Sequence, residues 1–336
     1  MKQAFDATRL EWPMDWPAEF GREAPIFIEI GFGNAQFLID LAIQNPEANV
    51  IGVEISLPSI KKAEKKATTH GLNNIRLIHG DAKLALWGGM QLGAIERAYI
   101  NFPDPWHKAA HHHRKLINGR FLQLLATRMR PDGLLEIATD DPGYQDHITE
   151  TLENTAYFAS QTVSTYESED LERIRTKYEL KALEEGRICH YYHWARNNTA
   201  AENVFPHPKE LDMPHVIIET PLNLDQISEH YKSHLNHAGE TPVRHLQMFK
   251  TTVMGELREQ REALLVETHV AEDPMPQRIA LTIQPREDNK MIIGLHELGF
   301  PRPTEGIHLA AAHLARWLLS IDDRNQLKRH NLAVEL

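Results

Sequence analysis

The first half of the chain alternates short apolar runs with longer segments in which apolar residues recur at helical spacing. The runs IFIEI (26–30), VIGVEI (50–55), NIRLIHGDA (74–82) and ERAYINFPDPW (96–106) are typical of buried strands. Helical spacing lies between them, as in AQFLIDLAIQ, and a Pro-Asp-Gly turn is expected just before the strand LLEIATDD. Strands that alternate with helices of ~10–15 residues predict βαβ units and a parallel sheet covered on both faces.

The pattern changes from about Asn197. The segment NNTAAENVFPHPKELDMP is polar and contains proline, which is typical of a linker. Extended segments follow, including RIALTIQ, and two segments of helical spacing accompany them, LDQISEHYKSHL and GIHLAAAHLARWLLSI. We therefore predict an α/β domain over residues 1–198, a linker over 199–214, and an accessory α+β domain with an antiparallel sheet over 215–336.

Composition narrows the class of protein. The chain holds 36 Lys and Arg against 47 Asp and Glu, a net charge of −11, and neither side of Asn198 is basic. This counts against a surface that is positive throughout and binds nucleic acid over its whole extent. The single cysteine, Cys189, excludes an intrachain disulfide and suits a reducing compartment. With no apolar run of ~20 residues and no signal peptide, we predict a soluble cytoplasmic protein that does not associate with a membrane.

Acidic residues stand at the ends of three successive predicted strands. Glu29, Glu54 and Asp81 occupy these positions, and the carboxyl ends of parallel strands meet at one edge of a sheet, where cofactors bind. Glu54 can accept hydrogen bonds from both hydroxyls of a ribose. Asp81 can accept one from an adenine amino group, with the Ala82 N–H beside it. The structural alternative is that these acids only cap the helices that follow, but three on one edge favour a site for S-adenosylmethionine.

The glycines after the first strand indicate which class of cofactor can bind there. Gly31 and Gly33 form the turn that lets a cofactor approach the backbone, whereas position 36, where a dinucleotide fingerprint has its third glycine, is Gln36. This disfavours a nucleotide with a pyrophosphate and favours a cofactor that lacks phosphate.

A rigid loop follows the fourth strand. It begins at Asn101 and holds Asp104 between two prolines, which fix the backbone. Trp106 in the same loop can stack on a base or on the cofactor. From Pro105 to Arg120 the chain carries four lysines or arginines and four histidines without any acid, a local positive stretch suited to phosphate contacts. Adjacent histidines do not converge easily on one ion, and we predict that the chain binds no metal.

Residues 1–198 resemble the bacterial tRNA (guanine-N7)-methyltransferase family. The resemblance rests on FIEIGFGNAQFLIDLAIQNPEANVIGVEIS, HGDA, AYINFPDPWHK, ATDD and RTKYELKALEEGRICHYYHWAR. It implies a Rossmann-like, class I sheet of seven strands and methyl transfer from S-adenosylmethionine to N7 of a guanosine in the tRNA variable loop. It also implies a catalytic role for Asp104. The accessory domain has no counterpart in this resemblance.

The resemblance, together with the motifs above, fixes the expected site residues. The cofactor set is Glu29, Gly31, Gly33, Glu54, Asp81, Ala82, Asn101 and Asp104. The substrate set is Lys108, Asp140, Thr176, Lys177, Tyr178 and Glu179. Since carboxylates accept hydrogen bonds from the N1 and N2 edge of guanine, we expect Asp140 or Glu179 to select guanine over adenine.

Two other functions stay open from the sequence. The chain could methylate a different substrate, because the accessory domain and the altered positive stretch from Pro105 to Arg120, here called the basic loop, could redirect it. It could also be a non-catalytic RNA-binding or scaffold protein, although such a protein has no need of all four acids. The accessory domain could dock tRNA, mediate self-association or recruit another protein.

The basic loop departs from the family and leads to a first prediction. Ala109 and Ala110 follow Lys108, and the histidines 111–113 stand where the family usually has cations. Histidine side chains gain charge as pH falls through ~6.5, so we expect the chain to bind tRNA more tightly at pH 6 than at pH 8. Filter binding across this range measures the dissociation constant. A constant that does not change with pH would contradict the prediction.

Overall fold

The computed structural model describes residues 4–171, 173–203, 206–207, 211–236, 241–254, 260–298 and 301–336. Contacts divide the chain into two compact units, Met1–His207 and Pro208–Leu336. The dividing point falls inside the predicted linker, of which residues 204–205 and 208–210 lie outside the described residues. The limits 199 and 214 of that linker stay a prediction.

The first unit is an α/β domain. Its strands are β1 (Ala4–Asp6), β2 (Ile26–Ile30), β3 (Asn49–Glu54), β4 (Ile75–His79), β5 (Ile95–Asn101), β6 (Met129–Thr139), β7 (Phe158–Ser160) and β8 (His190–Arg196). Its α-helices are α1 (Trp16–Phe20), α2 (Gln36–Gln44), α3 (Leu57–Thr69), α4 (Ala82–Gly89), α5 (Gly119–Arg128), α6 (Pro142–Glu153) and α7 (Lys177–Glu184). Short 3-10 helices cover Ala7–Arg9 and Ala109–Arg114.

These strands form one mixed sheet in the order β1-β4-β3-β2-β5-β6-β8-β7. All pairs are parallel except those that β8 makes with β6 and β7. All five residues of β2 are buried, as expected for a strand covered on both faces. From β2 the chain proceeds outward through β3 and β4, then returns to place β5 on the other side of β2. This reversal opens a crevice at the carboxyl ends of the central strands, where ligands bind in such folds.

The predicted Rossmann-like α/β fold is confirmed, with two differences in detail. The sheet has eight strands within the described residues rather than seven, because β1 pairs with β4 at the edge. β1 has only three residues, which are too few to show a periodic pattern in the sequence. The Pro-Asp-Gly turn expected before LLEIATDD lies inside β6, which pairs with Ile95 already at Met129. The turn is instead a bulge in the ladder, with Asp132 at φ 61°.

The second unit is an α+β domain with an antiparallel sheet, as predicted. Its strands are β9 (His215–Glu219), β10 (His234–Asn236), β11 (Val243–Met254), β12 (Gln260–Val270), β13 (Gln277–Arg286), β14 (Lys290–Leu295) and β15 (Gln326–His330), and its helices are α8 (Leu224–His230) and α9 (Glu305–Ser320). The sheet order is β10-β11-β12-β13-β14-β9-β15. Ile307 and Leu314 of α9 pack with Ile279, Leu281 and Ile283 of β13 in one buried core.

Over the part of the chain that the structure describes, no helix combines the length and the apolar character that crossing a membrane requires.

Candidate functional site

A cavity of about 370 Å³ opens at the carboxyl ends of β2, β3, β4 and β5. Ten of the predicted site residues line it: Glu29, Gly31, Gly33, Glu54, Asp81, Ala82, Asn101, Asp104, Thr176 and Tyr178. Eight of these come from the strand ends and the turns that follow them, and two from the start of α7. The sheet topology therefore brings together residues that are up to 149 positions apart in the sequence.

The glycine turn after β2 is held by Glu54. Gly31 and Gly33 adopt φ of 76° and 51°, a left-handed conformation that favours glycine. Glu54 accepts hydrogen bonds from the Gly33 N–H through Oε2 and from the Ser56 N–H through Oε1, both at 2.9 Å. One carboxylate thus joins the end of β3 to the turn after β2, and residues of both segments line the cavity.

Glu29 is the most deeply buried acid of the cavity, with 2% of its surface exposed. Its Oε1 accepts a hydrogen bond from Asn101 Nδ2 at 2.9 Å, whereas Oε2 has no partner among the described residues. Burial raises the pKa of Glu29 to about 8, because a charged carboxylate is poorly stabilised away from water. Without a ligand this carboxyl group is therefore mostly protonated at neutral pH.

Arg173 supports this pair and was not anticipated from the sequence. Its Nη2 donates to Asn101 Oδ1, and its guanidinium lies 5.4 Å from the centre of the Phe37 ring and 5.7 Å from that of Tyr191. Its Nη1 is 3.8 Å from Glu136 Oε2. The segment around Arg173 has no periodic pattern. The signal that could have found the residue is its place three positions before Thr176, beside the stretch that carries the family resemblance.

Asp81 caps α4. Its Oδ1 accepts hydrogen bonds from the Lys83 and Leu84 N–H groups at 2.8 and 3.2 Å. The structural alternative raised from the sequence, helix capping, therefore describes one oxygen of this side chain. The side chain is exposed and lines the cavity, and Ala82 begins the helix next to it.

The loop after β5 adopts a strained backbone. Phe102 and Trp106 have φ of 51° and 47°, values that non-glycine residues adopt at a cost and that cluster at functional sites. Asp104 between them is exposed and lines the cavity. The Arg114 guanidinium lies 5.0 Å from the centre of the Trp106 ring. Trp106 and Arg114 both line the cavity, although neither belongs to the predicted site set.

The start of α7 reaches the cavity from another part of the chain. Thr176 and Glu179 form a capping box, in which Thr176 Oγ1 accepts from the Glu179 N–H at 3.0 Å and Glu179 Oε2 accepts from the Thr176 N–H at 3.3 Å. Glu179 is fully buried, and its Oε1 accepts from Tyr191 Oη at 3.0 Å. Tyr178 is 57% exposed. Its ring lies over Gly33, and a Cβ atom added to that glycine would lie 3.6 Å from the ring.

Four residues of the predicted substrate set do not line the cavity. Lys108 and Lys177 are exposed, Asp140 forms an ion pair with Arg187, and Glu179 is enclosed as described. Their roles in substrate binding stay predictions. The His113 side chain lies outside what the structure describes. Within the described ranges, no three His, Cys, Asp or Glu side chains stand in an arrangement that could hold a metal ion.

Comparisons with known proteins agree with this architecture. A family model described as "Putative methyltransferase" matches residues 23–191. A tRNA (guanine-N(7)-)-methyltransferase of Thermotoga maritima is 39% identical over 176 residues, which are 52% of this chain and 55% of that protein. One solved structure, the 16S rRNA methyltransferase KamB, is 13% identical with a TM-score of 0.42 over 58% of this chain and all of that one, a likeness too low to support any inference.

A second relative covers nearly the whole chain. A tRNA (guanine-N(7)-)-methyltransferase of Thermus thermophilus is 30% identical over 325 residues, which are 96% of this chain and 95% of that protein. The family model ends at residue 191, whereas this alignment also includes the second unit. The match over half of the chain and this nearly full-length relative show that the chain belongs to the tRNA (guanine-N7)-methyltransferase family.

Proposed function

We propose that the chain transfers the methyl group of S-adenosylmethionine to N7 of a guanosine in tRNA, in the variable loop as the resemblance implies. The observation that carries this proposal is the meeting of Glu29, Glu54, Asp81 and Asp104 in one cavity at the strand ends of a family member. A non-catalytic scaffold has no use for this complete set. The predicted cytoplasmic location is part of the same proposal.

The cavity residues fit S-adenosylmethionine. Glu29 Oε2 is a buried acceptor without a partner, which suits the ammonium group of the methionine part. Glu54 and Asp81 stand at the ends of β3 and β4, where they suit the ribose hydroxyls and the adenine amino group, the latter through Asp81 Oδ2. The Ala82 N–H at the start of α4 suits a ring nitrogen. When bound, the cofactor supplies an electrophilic methyl group on a sulfonium centre.

The side chains around Asp104 suit the substrate. Guanine N7 carries an in-plane lone pair and no proton, so its attack needs no strong base, and positioning and electrostatics supply most of the acceleration. The purine ring gains positive charge as N7 reacts, and the Asp104 carboxylate at the cavity stabilises that charge. Trp106 offers a face for a base, and Arg114, held over it, offers a cation for phosphate.

We propose that Asp140, rather than Glu179, selects guanine over adenine. Glu179 has no exposed surface and both of its oxygens accept internal hydrogen bonds. The side chain of Asp140 is 17% exposed, and its partner Arg187 is 40% exposed, so this pair can open toward solvent. Asp140→Asn is therefore expected to slow the methylation of guanosine. An unchanged rate on the same tRNA would remove Asp140 from the proposal.

The function is tested by methyl transfer from S-adenosylmethionine to unmodified bulk tRNA, with the nucleosides identified by mass spectrometry. We expect 7-methylguanosine with the wild-type chain. Asp104→Asn keeps the shape and removes the charge, and we expect it to lower the rate on the order of 100-fold or more. Asp146→Asn changes an exposed aspartate on α6 and should leave the rate unchanged.

Two outcomes would contradict this assignment in different ways. Equal rates for Asp104→Asn and the wild type would remove Asp104 from catalysis while leaving the substrate in place. Binding of S-adenosylmethionine without methylation of any tRNA base would keep the methyltransferase and reject the substrate.

The buried carboxyl group of Glu29 predicts a pH dependence of stability. Its pKa is about 8 in the folded chain against ~4.3 for a free glutamate, so between these values the folded state binds more protons than the unfolded state. Stability is fully present below pH ~4.3 and falls as pH rises toward 8. Glu29→Gln removes this dependence. From pH 5 to pH 8 the free energy of unfolding of the wild type should therefore fall by a few kcal/mol relative to that of Glu29→Gln, at about 1.4 kcal/mol per pH unit.

Urea unfolding of the ligand-free protein at both pH values measures this difference. Glu150→Gln, at an exposed glutamate on α6, serves as the control and should follow the wild type. The same pH slope for Glu29→Gln and the wild type would show that Glu29 is ionised when folded.

The contact between Arg173 and Asn101 predicts a role in positioning the cofactor site. Arg173→Met keeps much of the apolar stem but leaves Asn101 Oδ1 without its donor, which should lower stability by about 1–3 kcal/mol. Because Asn101 orients Glu29, we also expect S-adenosylmethionine to bind about tenfold more weakly in calorimetry. Arg175→Met removes a more exposed cation two residues away and should change the affinity less than twofold. Equal affinities of the two variants would reject the positioning role.

A further inference from the structure

Both helices of the second unit pack on the same face of its sheet. Ile227 of α8 and Ile307 of α9 share one buried core with Leu281 of β13 and Ile293 of β14. Successive side chains of a strand point to opposite faces, so the strand residues that alternate with this core lie on the other side. We call this side of the sheet the outer face.

The outer face is positive although the second unit is acidic. Residues 199–336 hold 14 Lys and Arg against 20 Asp and Glu. Among the described strand residues, the acids at outer-face positions are Glu219 and Glu267. The Lys and Arg residues at outer-face positions are Arg244, Arg261, Arg278, Arg286, Lys290 and Arg329. Such a concentration of cations on one face attracts a polyanion.

Positively charged residues are neighbours at both ends of the outer face. Arg244 and Arg278 flank His269 in one row across β11, β12 and β13, and all three are exposed. At the other end, Arg286 and Lys290 are direct partners across β13 and β14. Like charges directly opposite each other destabilise a sheet. An anionic ligand at these positions removes that cost.

The acids of the outer face do not neutralise it. Glu267 forms an ion pair with Arg278, and Glu219 forms one with Lys328 at 2.6 Å. The exposed cations of this face that have no acidic partner among the described residues are Arg244, Arg286 and Arg329. Three guanidinium groups are therefore available to an external anion, and each offers the planar set of donors that suits phosphate.

Apolar residues separate the two positive ends. Phe249 is 46% exposed and stands opposite Leu265, and Ile217 is the partner of Ile292. The two ends lie eight positions apart along β13, which is about 27 Å at ~3.4 Å per residue. Sheets that bind RNA combine an exposed aromatic side chain, on which a base stacks, with cations for the phosphates. The outer face has both.

We propose that the outer face of the second unit binds tRNA. Arg244, Arg286 and Arg329 contact phosphates, and Phe249 stacks on an unpaired base. The sheet supplies the cations and the aromatic ring, whereas the identity of the RNA as tRNA rests on the proposed function. An acidic protein would also match the charges, and it becomes the partner to seek if tRNA binding does not depend on these residues.

Filter binding of unmodified tRNA to the full-length chain at several KCl concentrations tests this proposal. The triple variant Arg244→Gln, Arg286→Gln, Arg329→Gln should bind at least about tenfold more weakly. Its slope of log affinity against log salt should be shallower by about 2 to 3, because each lost phosphate contact contributes ~0.7–0.9. Phe249→Ala should weaken binding about fivefold or more through the loss of stacking.

A second triple variant serves as the matched control. Lys232→Gln, Lys250→Gln and Arg316→Gln remove the same number of exposed cations from the loop after α8, from the helix side of β11 and from α9. This variant should keep the affinity and the salt dependence of the wild type. Thermal unfolding establishes that every variant is folded before its affinity is measured.

Methyl transfer separates this inference from the proposed function. In the outer-face variants we expect KM for tRNA to rise while kcat stays within about twofold, because the outer face contacts no reacting atom. Equal tRNA affinities for the outer-face variants and the wild type would overturn the inference even if 7-methylguanosine forms. An equal loss of affinity in the control variant would also overturn it. A wild-type chain that binds tRNA through this face without forming 7-methylguanosine would support the inference and reject the proposed function.

Discussion

The cofactor cavity depends on one buried asparagine. Asn101 lies at the end of β5, donates to Glu29 at the end of the neighbouring β2, and accepts from Arg173. Because an arginine can only donate, the amide oxygen of Asn101 must face Arg173 and its NH₂ group must face Glu29. The orientation of the Asn101 amide therefore determines how Glu29 and Arg173 are oriented. Asn101 lies where the strand order reverses, which is where the fold opens a ligand site.

Most of the fold could be predicted because the central strands are covered on both faces and read as continuous apolar runs. IFIEI, for example, is both the predicted and the observed strand. What escaped prediction lacks such a signal. β1 has three residues and gains its place from pairing with β4. β6 begins before its Pro-Asp-Gly sequence because the ladder accommodates that turn as a bulge.

The residues of the candidate site also differ in whether the sequence carries a signal for them. The acids at the strand ends could be predicted from their position after apolar runs, and the cavity holds all of them. Arg173 was missed, because an irregular segment carries it and only the tertiary fold brings it to Asn101. Glu179 could be singled out from its motif, but the same motif forms a capping box. The sequence alone therefore could not tell whether Glu179 caps the helix or contacts the substrate.

The position of β8 in the sheet has a consequence for how the protein is made. β8 lies between β6 and β7 although it is the last of the three in the chain, and β7 has no other partner among the described strands. Tyr191 on β8 contacts both Arg173 and Glu179. A nascent chain that leaves the ribosome therefore presents the acids of the cavity well before the strand that secures their cover. A polypeptide that stops before residue 190 therefore carries every residue that lines the cavity but lacks Tyr191, the β8 residue that contacts Arg173 and Glu179.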